Sequence, residues 1–232
     1  DLKVTTNEIY IKCRPLDWAE AAEYITPSYM EAWYTLEDGL MRATCRFVDF
    51  SGYPGVTTTQ EFPAFYCVEP LDKFVYYSGG EAWSDANTQQ IETDLQFWGD
   101  VQYAANQSFN CNENWGAFIG DGESGYAIGL YAPGQTNFFT GVFERGGITE
   151  LVNSENQYID DQNPTSYIGV VDTINFQSYS PISYCYYITT GKIDEIRGNF
   201  KTLAQAQEDF CNGTYTNGFC DMCGRYEPAT LT

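Results

Sequence analysis

The chain has 232 residues and no histidine, and its 32 acidic residues against 11 basic ones leave a net charge of −21. Without imidazole there is no Ser-His-Asp or Cys-His machinery, no histidine-bearing zinc site and no imidazole proton shuttle. The negative field repels nucleic acid and anionic membrane, both of which are bound through basic patches, so neither is an expected partner. A hydrophobic share of 43% with 17% aromatics sets the chain apart from acidic disordered proteins, which are poor in aromatics.

In chain order, the first strand-like run is 9–12, followed by a short helical turn at 17–24. Residues 41–47 alternate apolar and polar side chains with period two, which predicts a half-buried strand with Cys45 facing inward. Short β-branched or aromatic runs recur at 62–68, 74–77, 115–119, 126–131, 138–143, 167–171 and 182–190. Turn residues punctuate them at 51–55, Gly79-Gly80, Asp121-Gly122, Pro133-Gly134 and Gly146-Gly147. Such a series predicts a mainly β chain folded as an antiparallel β-sandwich. The stretch 146–165 is polar and aperiodic and reads as a long surface loop. Ile193, Ile196, Phe200 and Leu203 share one helical face, predicting one short C-terminal helix near 192–208. The expected organisation is a β-sandwich domain over 1–208 and a cysteine-rich tail over 209–232. No apolar run approaches the roughly 20 residues that span a bilayer, so no membrane insertion is expected.

The eight cysteines, Cys13, Cys45, Cys67, Cys111, Cys185, Cys211, Cys220 and Cys223, form an even set. Two glycosylation sequons begin at Asn106 and Asn212, while Asn163 is followed by a blocking proline. Together with the acidity these predict a secreted, disulfide-held glycoprotein in the extracellular space. The start at Asp1 without methionine adds the expectation of a removed leader. Cys220-Asp221-Met222-Cys223 reads as a structural disulfide element rather than a redox dithiol, because its Gly/Asn-rich surroundings lack a helix opening. Three cysteines in so short a tail leave one to bridge back to the body or to another chain, which raises self-assembly into a filament or coat.

Candidate chemistry rests on carboxylates and aromatics. Glu61, Glu113, Asp72, Asp121 and Asp194 could supply the acid pair of glycoside hydrolysis, though among 32 acids most are solvated surface. Tyr66, Tyr77, Tyr126, Tyr131, Tyr186, Tyr187, Trp83 and Trp115 could line a sugar cleft, ring faces against C–H faces, though aromatics in strands mostly fill the core. A tyrosine acting beside Arg197 would suit a polysaccharide lyase. Asp121-Gly122-Glu123 and Asp160-Asp161-Gln162-Asn163 offer oxygen ligands to calcium, but neither completes a twelve-residue calcium loop, and no cofactor is otherwise indicated.

Three stretches form a set: Gln60-Glu61-Phe62-Pro63-Ala64-Phe65-Tyr66 followed by Tyr77, Gly79 and Trp83; 113–118 running into 125–133; and Tyr186-Tyr187 followed by Gly191 and 194–197. Together, over roughly 40–200, they resemble secreted β-sandwich domains of microbial carbohydrate-associated proteins. The resemblance implies a large sandwich of the supersandwich type and a glycan partner. It transfers no catalytic assignment. The expected function is therefore a glycan-binding β-sandwich module, with a structural subunit and a polysaccharide hydrolase or lyase as alternatives. Glu61, Glu113, Tyr66 and Arg197 are the catalytic candidates, and Trp83, Trp115, Tyr126 and Tyr131 the ligand-binding ones.

Overall fold

The structure, a computed structural model, describes residues 1–17, 24–68, 71, 73–84, 89–91, 97–98, 107–120, 125–143, 151–152, 158–159, 165–209, 215–216 and 219–220. Its strands begin with β1 (Leu2–Val4), β2 (Glu8–Cys13), β3 (Ser28–Glu37), β4 (Leu40–Asp49), β5 (Val56–Val68) and β6 (Lys73–Tyr76). They continue with β7 (Gln89–Ile91), β8 (Phe97–Trp98), β9 (Gln107–Asn110), β10 (Trp115–Ile119), β11 (Tyr126–Tyr131) and β12 (Asn137–Phe143). The last are β13 (Leu151–Val152), β14 (Tyr158–Ile159), β15 (Thr165–Phe176), β16 (Ile182–Lys192), β17 (Tyr215–Thr216) and β18 (Phe219–Cys220), with one helix, α1 (Ile193–Asp209). The mainly β, antiparallel sandwich expected from the sequence is present. The expected strands and the helix are found, and strands the patterning does not mark, β1, β3, β7, β8, β9, β17 and β18, join them. The stretch expected as a long loop carries the paired strands β13 and β14. Of the tail, the described part is the end of α1 and the β17–β18 pair. The expected turn at 17–24 lies mostly outside the described residues, but Leu16 and Ile25 at its base pair antiparallel.

Two compact units interleave along the chain. One comprises Asp1–Gln60, Thr173–Thr189 and Asn199–Thr232; the other comprises Glu61–Asp172 and Thr190–Gly198. The first is built on a run of antiparallel strands in the order β1, β2, β3, β4 and β16. Its β3–β4 hairpin closes at Asp38-Gly39, with φ of 49° and 76°. Positive φ at both central positions is the type I′ geometry that matches strand twist, and Asp-Gly is its favoured pair. At the other end of β4, the Asp49 carboxylate accepts hydrogen bonds from the hydroxyls of Ser51 and Ser178 and tethers the start of the next connection.

The second unit is a sandwich. One layer pairs β7, β6, β10 and β11; the other pairs β9, β12 and β15, joined by β5 and, through a two-residue parallel contact, β8. Between them lies an aromatic core: Phe74 and Tyr76 each sit 5.1 Å from Phe109, and Phe74 lies 5.6 Å from Phe118. Phe138, Ile168 and Val170 are fully buried from the opposite layer. Burying each such ring contributes about 1.5–3 kcal/mol. Gly116 lies under this cluster because a Cβ there would overlap the Phe74 ring.

Helix α1 begins with Asp194 and Glu195 in its first turn, where carboxylates complement the helix dipole. Glu195 also accepts the backbone N–H of Lys192 at 2.9 Å, a side-chain cap on an otherwise orphaned donor. Ile196 and Phe200, one turn apart, are fully buried. No helix among the described residues is long and apolar enough to cross a membrane.

The disulfide expectation is corrected for the cysteines whose side chains are described. Cys13, Cys45, Cys67, Cys111 and Cys185 form no disulfide. Register explains this for three of them. Cys13 and Cys45 lie on one face of the sheet, but β3 runs between their strands. Cys185 stands opposite Thr44, on the other face from Cys45. Cys211 and Cys223 lie outside the described residues, as does the side chain of Cys220.

Candidate functional site

Most of the sequence candidates fall into two clusters, both within the second unit, whereas Tyr186 and Tyr187 lie on β16 in the first unit, Tyr187 buried. The first is centred on Glu113, in the turn that leads into β10. It has no exposed surface, and neither has Trp115 two residues on. Four donors surround its carboxylate. Oε1 accepts the Trp83 backbone N–H at 2.5 Å and an Arg197 guanidinium N–H at 2.6 Å. Oε2 accepts the Trp115 indole N–H at 2.8 Å and Arg197 Nε–H at 2.9 Å. A carboxylate offers about four lone-pair sites, so no acceptor capacity remains for a substrate. Arg197, on the first turns of α1, also donates to the Ser84 carbonyl at 2.8 Å and stacks 4.8 Å from the Tyr77 ring. Its guanidinium is held protonated still more firmly by the bond to Glu113, against the opposing effect of burial.

This arrangement fixes a loop. Tyr77 Oη donates to the Glu81 carbonyl at 2.8 Å and is bonded to the Ser84 hydroxyl at the same distance. Trp83 adopts a φ of 60°, an uncommon conformation for a bulky residue, and its ring packs 6.3 Å from Tyr131. Trp115 pairs directly across from Tyr131, which is 3% exposed. Glu113, Arg197, Trp83, Trp115 and Tyr131 therefore do come together, as a closed bolt between α1, β10 and the 77–84 loop. The rings of Trp115 and Tyr131 pack inside the protein.

The second cluster lies on the layer of β5, β15 and β12. The Tyr167 hydroxyl on β15 donates a hydrogen bond to the Glu61 carboxylate on β5. The Tyr66 ring lies 4.9 Å from that of Tyr167, tilted by 46°, and Phe139 meets Tyr167 edge-on at 6.4 Å. Tyr167 is 2% exposed while Tyr66 is 55% exposed, so the group runs from a buried hydroxyl to an open ring. Register puts Gly169 opposite Phe139 and Gly141 opposite Tyr167. The space above Gly169 is what admits the pair: a Cβ there would stand 2.8 Å from Tyr167 Oη and 3.1 Å from Glu61 Cγ and Cδ. Burial first, and then Glu61, raises the pKa of both phenols. At neutral pH they are hydrogen-bond donors, not proton acceptors.

Sequence reasoning named Glu61 and Tyr66 but missed Tyr167, Phe139 and Gly169. The available signal was Gly169 itself, a glycine inside a β-branched run, which marks a close approach of neighbouring groups. Tyr126, at the start of β11, is 61% exposed and belongs to neither cluster. Asp194 caps α1. Among the described residues no His, Cys, Asp and Glu side chains gather in a group fit to hold a metal. The calcium candidates at 121–123 and 160–163, Asp72, and the sequon asparagines Asn106 and Asn212 lie outside the described residues. The buried thiols are chemically quiet: desolvation pushes Cys45 up to about 11 and Cys67 up to about 12, and it raises Cys111 well above the ordinary thiol value too.

No protein-family model matches the sequence, and no curated protein matches it. Among solved structures, the chain is similar to a galactose mutarotase related enzyme from Lactobacillus acidophilus, at 9% identity over 83% of this chain and 71% of that one, with a TM-score of 0.42. It is similar to a putative aldose 1-epimerase from Escherichia coli at 10% identity, covering 82% and 67% of the two chains, with a TM-score of 0.45. It is also similar to an alpha-galactosidase from Geobacillus stearothermophilus at 9% identity, with a TM-score of 0.48, where it covers 80% of its own length and 24% of the enzyme's. Identities and scores are low throughout, and the two clusters stand on this chain's own residues.

Proposed function

We propose that this chain is a glycan-binding β-sandwich module whose binding surface is built on Tyr66, Glu61 and Tyr167. The observation that carries the reading is the graded cluster above Gly169. Tyr66 offers an open ring face for the C–H face of a sugar, and Glu61 sets a carboxylate acceptor beside it for sugar hydroxyls. Tyr167 orients that carboxylate from below. Binding is favoured over catalysis by two physical facts. Hydrolysis calls for two working carboxylates, and Glu113 has every lone pair engaged. A lyase base must accept a proton, whereas Tyr66 and Tyr167 are held in the protonated form. An extracellular location is part of the proposal and is supported by the sequons at Asn106 and Asn212. The test is retention on an array of neutral and charged glycans with the wild type, Tyr66→Ala and Glu61→Gln. Retention lost in both variants, with unchanged circular dichroism, supports the reading. Equal retention in all three, or release of reducing ends by the wild type, overturns it.

A further inference from the structure

The first unit carries a face that its overall charge would not suggest. Strand register places Lys3, Tyr10 and Trp33 in one cross-strand row, and Lys12, Glu31 and Arg46 in the next. Arg42 stands opposite Thr35 on the same side. Beyond the strand ends, Arg14 reaches 5.1 Å from the Phe50 ring, which lies 6.4 Å from Tyr29. Five of the chain's 11 basic residues thus meet on one face, against Asp1, Glu8, Glu31 and Glu37. They alternate with rings: Lys12 sits 4.1 Å over Tyr29, Lys3 5.5 Å over Tyr10 and Arg46 5.7 Å over Trp33, while Tyr10 and Trp33 lie 5.0 Å apart.

Glu31 organises this face. It is 5% exposed and accepts from Tyr10 Oη at 2.8 Å and Arg46 Nε at 2.6 Å, with Lys12 Nζ at 3.6 Å. Glu31 alone does not balance Lys12 and Arg46, and across the face the five cations outnumber the four carboxylates by one. A local positive excess persists in a protein of net charge −21. At physiological ionic strength screening acts within about 8 Å, so the nearby cations, not the distant acids, set the potential there.

We propose that this face binds an acidic polysaccharide, one whose carboxylate or sulfate groups are spaced along a chain with apolar sugar faces between them. Cations meet the anionic groups, and the interleaved rings meet the C–H faces. Nucleic acid fits less well, because its charge every 1.7 Å or so demands a denser basic surface than five cations interleaved with rings. The proposal stands apart from the Tyr66 surface and needs nothing from it.

Surface plasmon resonance over immobilised polygalacturonate, chondroitin sulfate, dextran and duplex DNA tests it. The variants are Lys3→Gln/Lys12→Gln, which leaves Glu31 with Arg46 and Tyr10, and Lys192→Gln, an exposed lysine outside this face, as control. Lys12→Arg keeps the charge and should retain binding. The expected result is retention on one or both acidic polysaccharides, weakening as salt rises, with a loss of about tenfold for each cation removed from the face and none in Lys192→Gln. No retention of the wild type, equal retention of the double variant, or DNA binding as strong as polysaccharide binding overturns it. So does a salt-sensitive dimer in sedimentation that the double variant abolishes, since a second copy would then occupy the face.

Discussion

Glu113 and Glu61 are the same residue type in the same unit, each beside aromatics and each a credible acid from sequence, yet they do opposite things. Glu113 is wholly buried and accepts from four donors, so every interaction it can make is already made. Glu61 is half-buried beside Tyr167, with Tyr66 open to solvent next to it. The difference teaches that lone-pair accounting, not residue identity, separates a structural carboxylate from a binding one.

The contrast breaks most visibly if the bolt is cut. Arg197→Met should cost about 3–5 kcal/mol in urea unfolding, because a fully buried carboxylate loses its charge partner. Glu113→Leu with Arg197→Met should recover part of that loss, since an apolar pair needs no desolvation. A cost below about 1 kcal/mol for the single variant would remove the structural assignment of Glu113. Gly169→Ala comes next, at about 1–3 kcal/mol, since its Cβ forces Glu61 and Tyr167 apart. Glycan retention should fall with it, whereas Gly80→Ala, where a Cβ meets nothing within 4 Å, should change neither.

The pH dependence of stability follows from which groups are shifted. Burial raises Cys45 and Cys67 from an ordinary 9.0 to about 11 and about 12, and it raises Tyr167 too. The stability these contribute is whole below the ordinary thiol value and is lost as pH climbs through the raised values. At the acid end, burial opposes ionisation of Glu31, but bonds from Arg46 and Tyr10 bring its pKa below 4.5. Asp49 is likewise drawn below 3.8 by Ser178 and Ser51 despite its burial. Their contribution is present above those values and disappears as pH falls through the lowered ones. With no histidine, urea midpoints should stay flat between about pH 5 and 9 and drop outside that window. A step near pH 6.5 would contradict this. The smallest stability effect is expected for Tyr66→Ala, within about 0.5 kcal/mol, since its ring is mostly exposed, while glycan affinity should fall about tenfold. Last, a thiol reagent should label the exposed Cys13 in the native protein and reach Cys45, Cys67 and Cys111 only after unfolding.

Much of the fold was legible because it is local. The runs at 115–119 and 126–131 coincide with β10 and β11, since period-two patterning reports the pleat directly. The helix was visible in Ile193, Ile196 and Phe200 for the same kind of reason. β3 was harder: Glu31 and Trp33 point to the charged and aromatic face, so its inward and outward sides are less distinct in polarity. In the site, the Glu61–Tyr66 stretch was legible from its aromatic density. Tyr167 and Gly169, about a hundred residues later, were not, because their value depends on a pairing between distant strands.

The sequence by itself determined the absence of imidazole chemistry, the acidic surface, the strand periodicity and the terminal helix, all of which follow from residue type and short-range spacing. Only the tertiary structure decided that Glu113 is used up, that Glu61 is not, that the described cysteines stand on separate strands or faces, and that five cations share one face of an acidic protein. Those outcomes depend on which strands lie side by side and in what register, and a one-residue slip would have sent the strand-borne side chains among them to the other face.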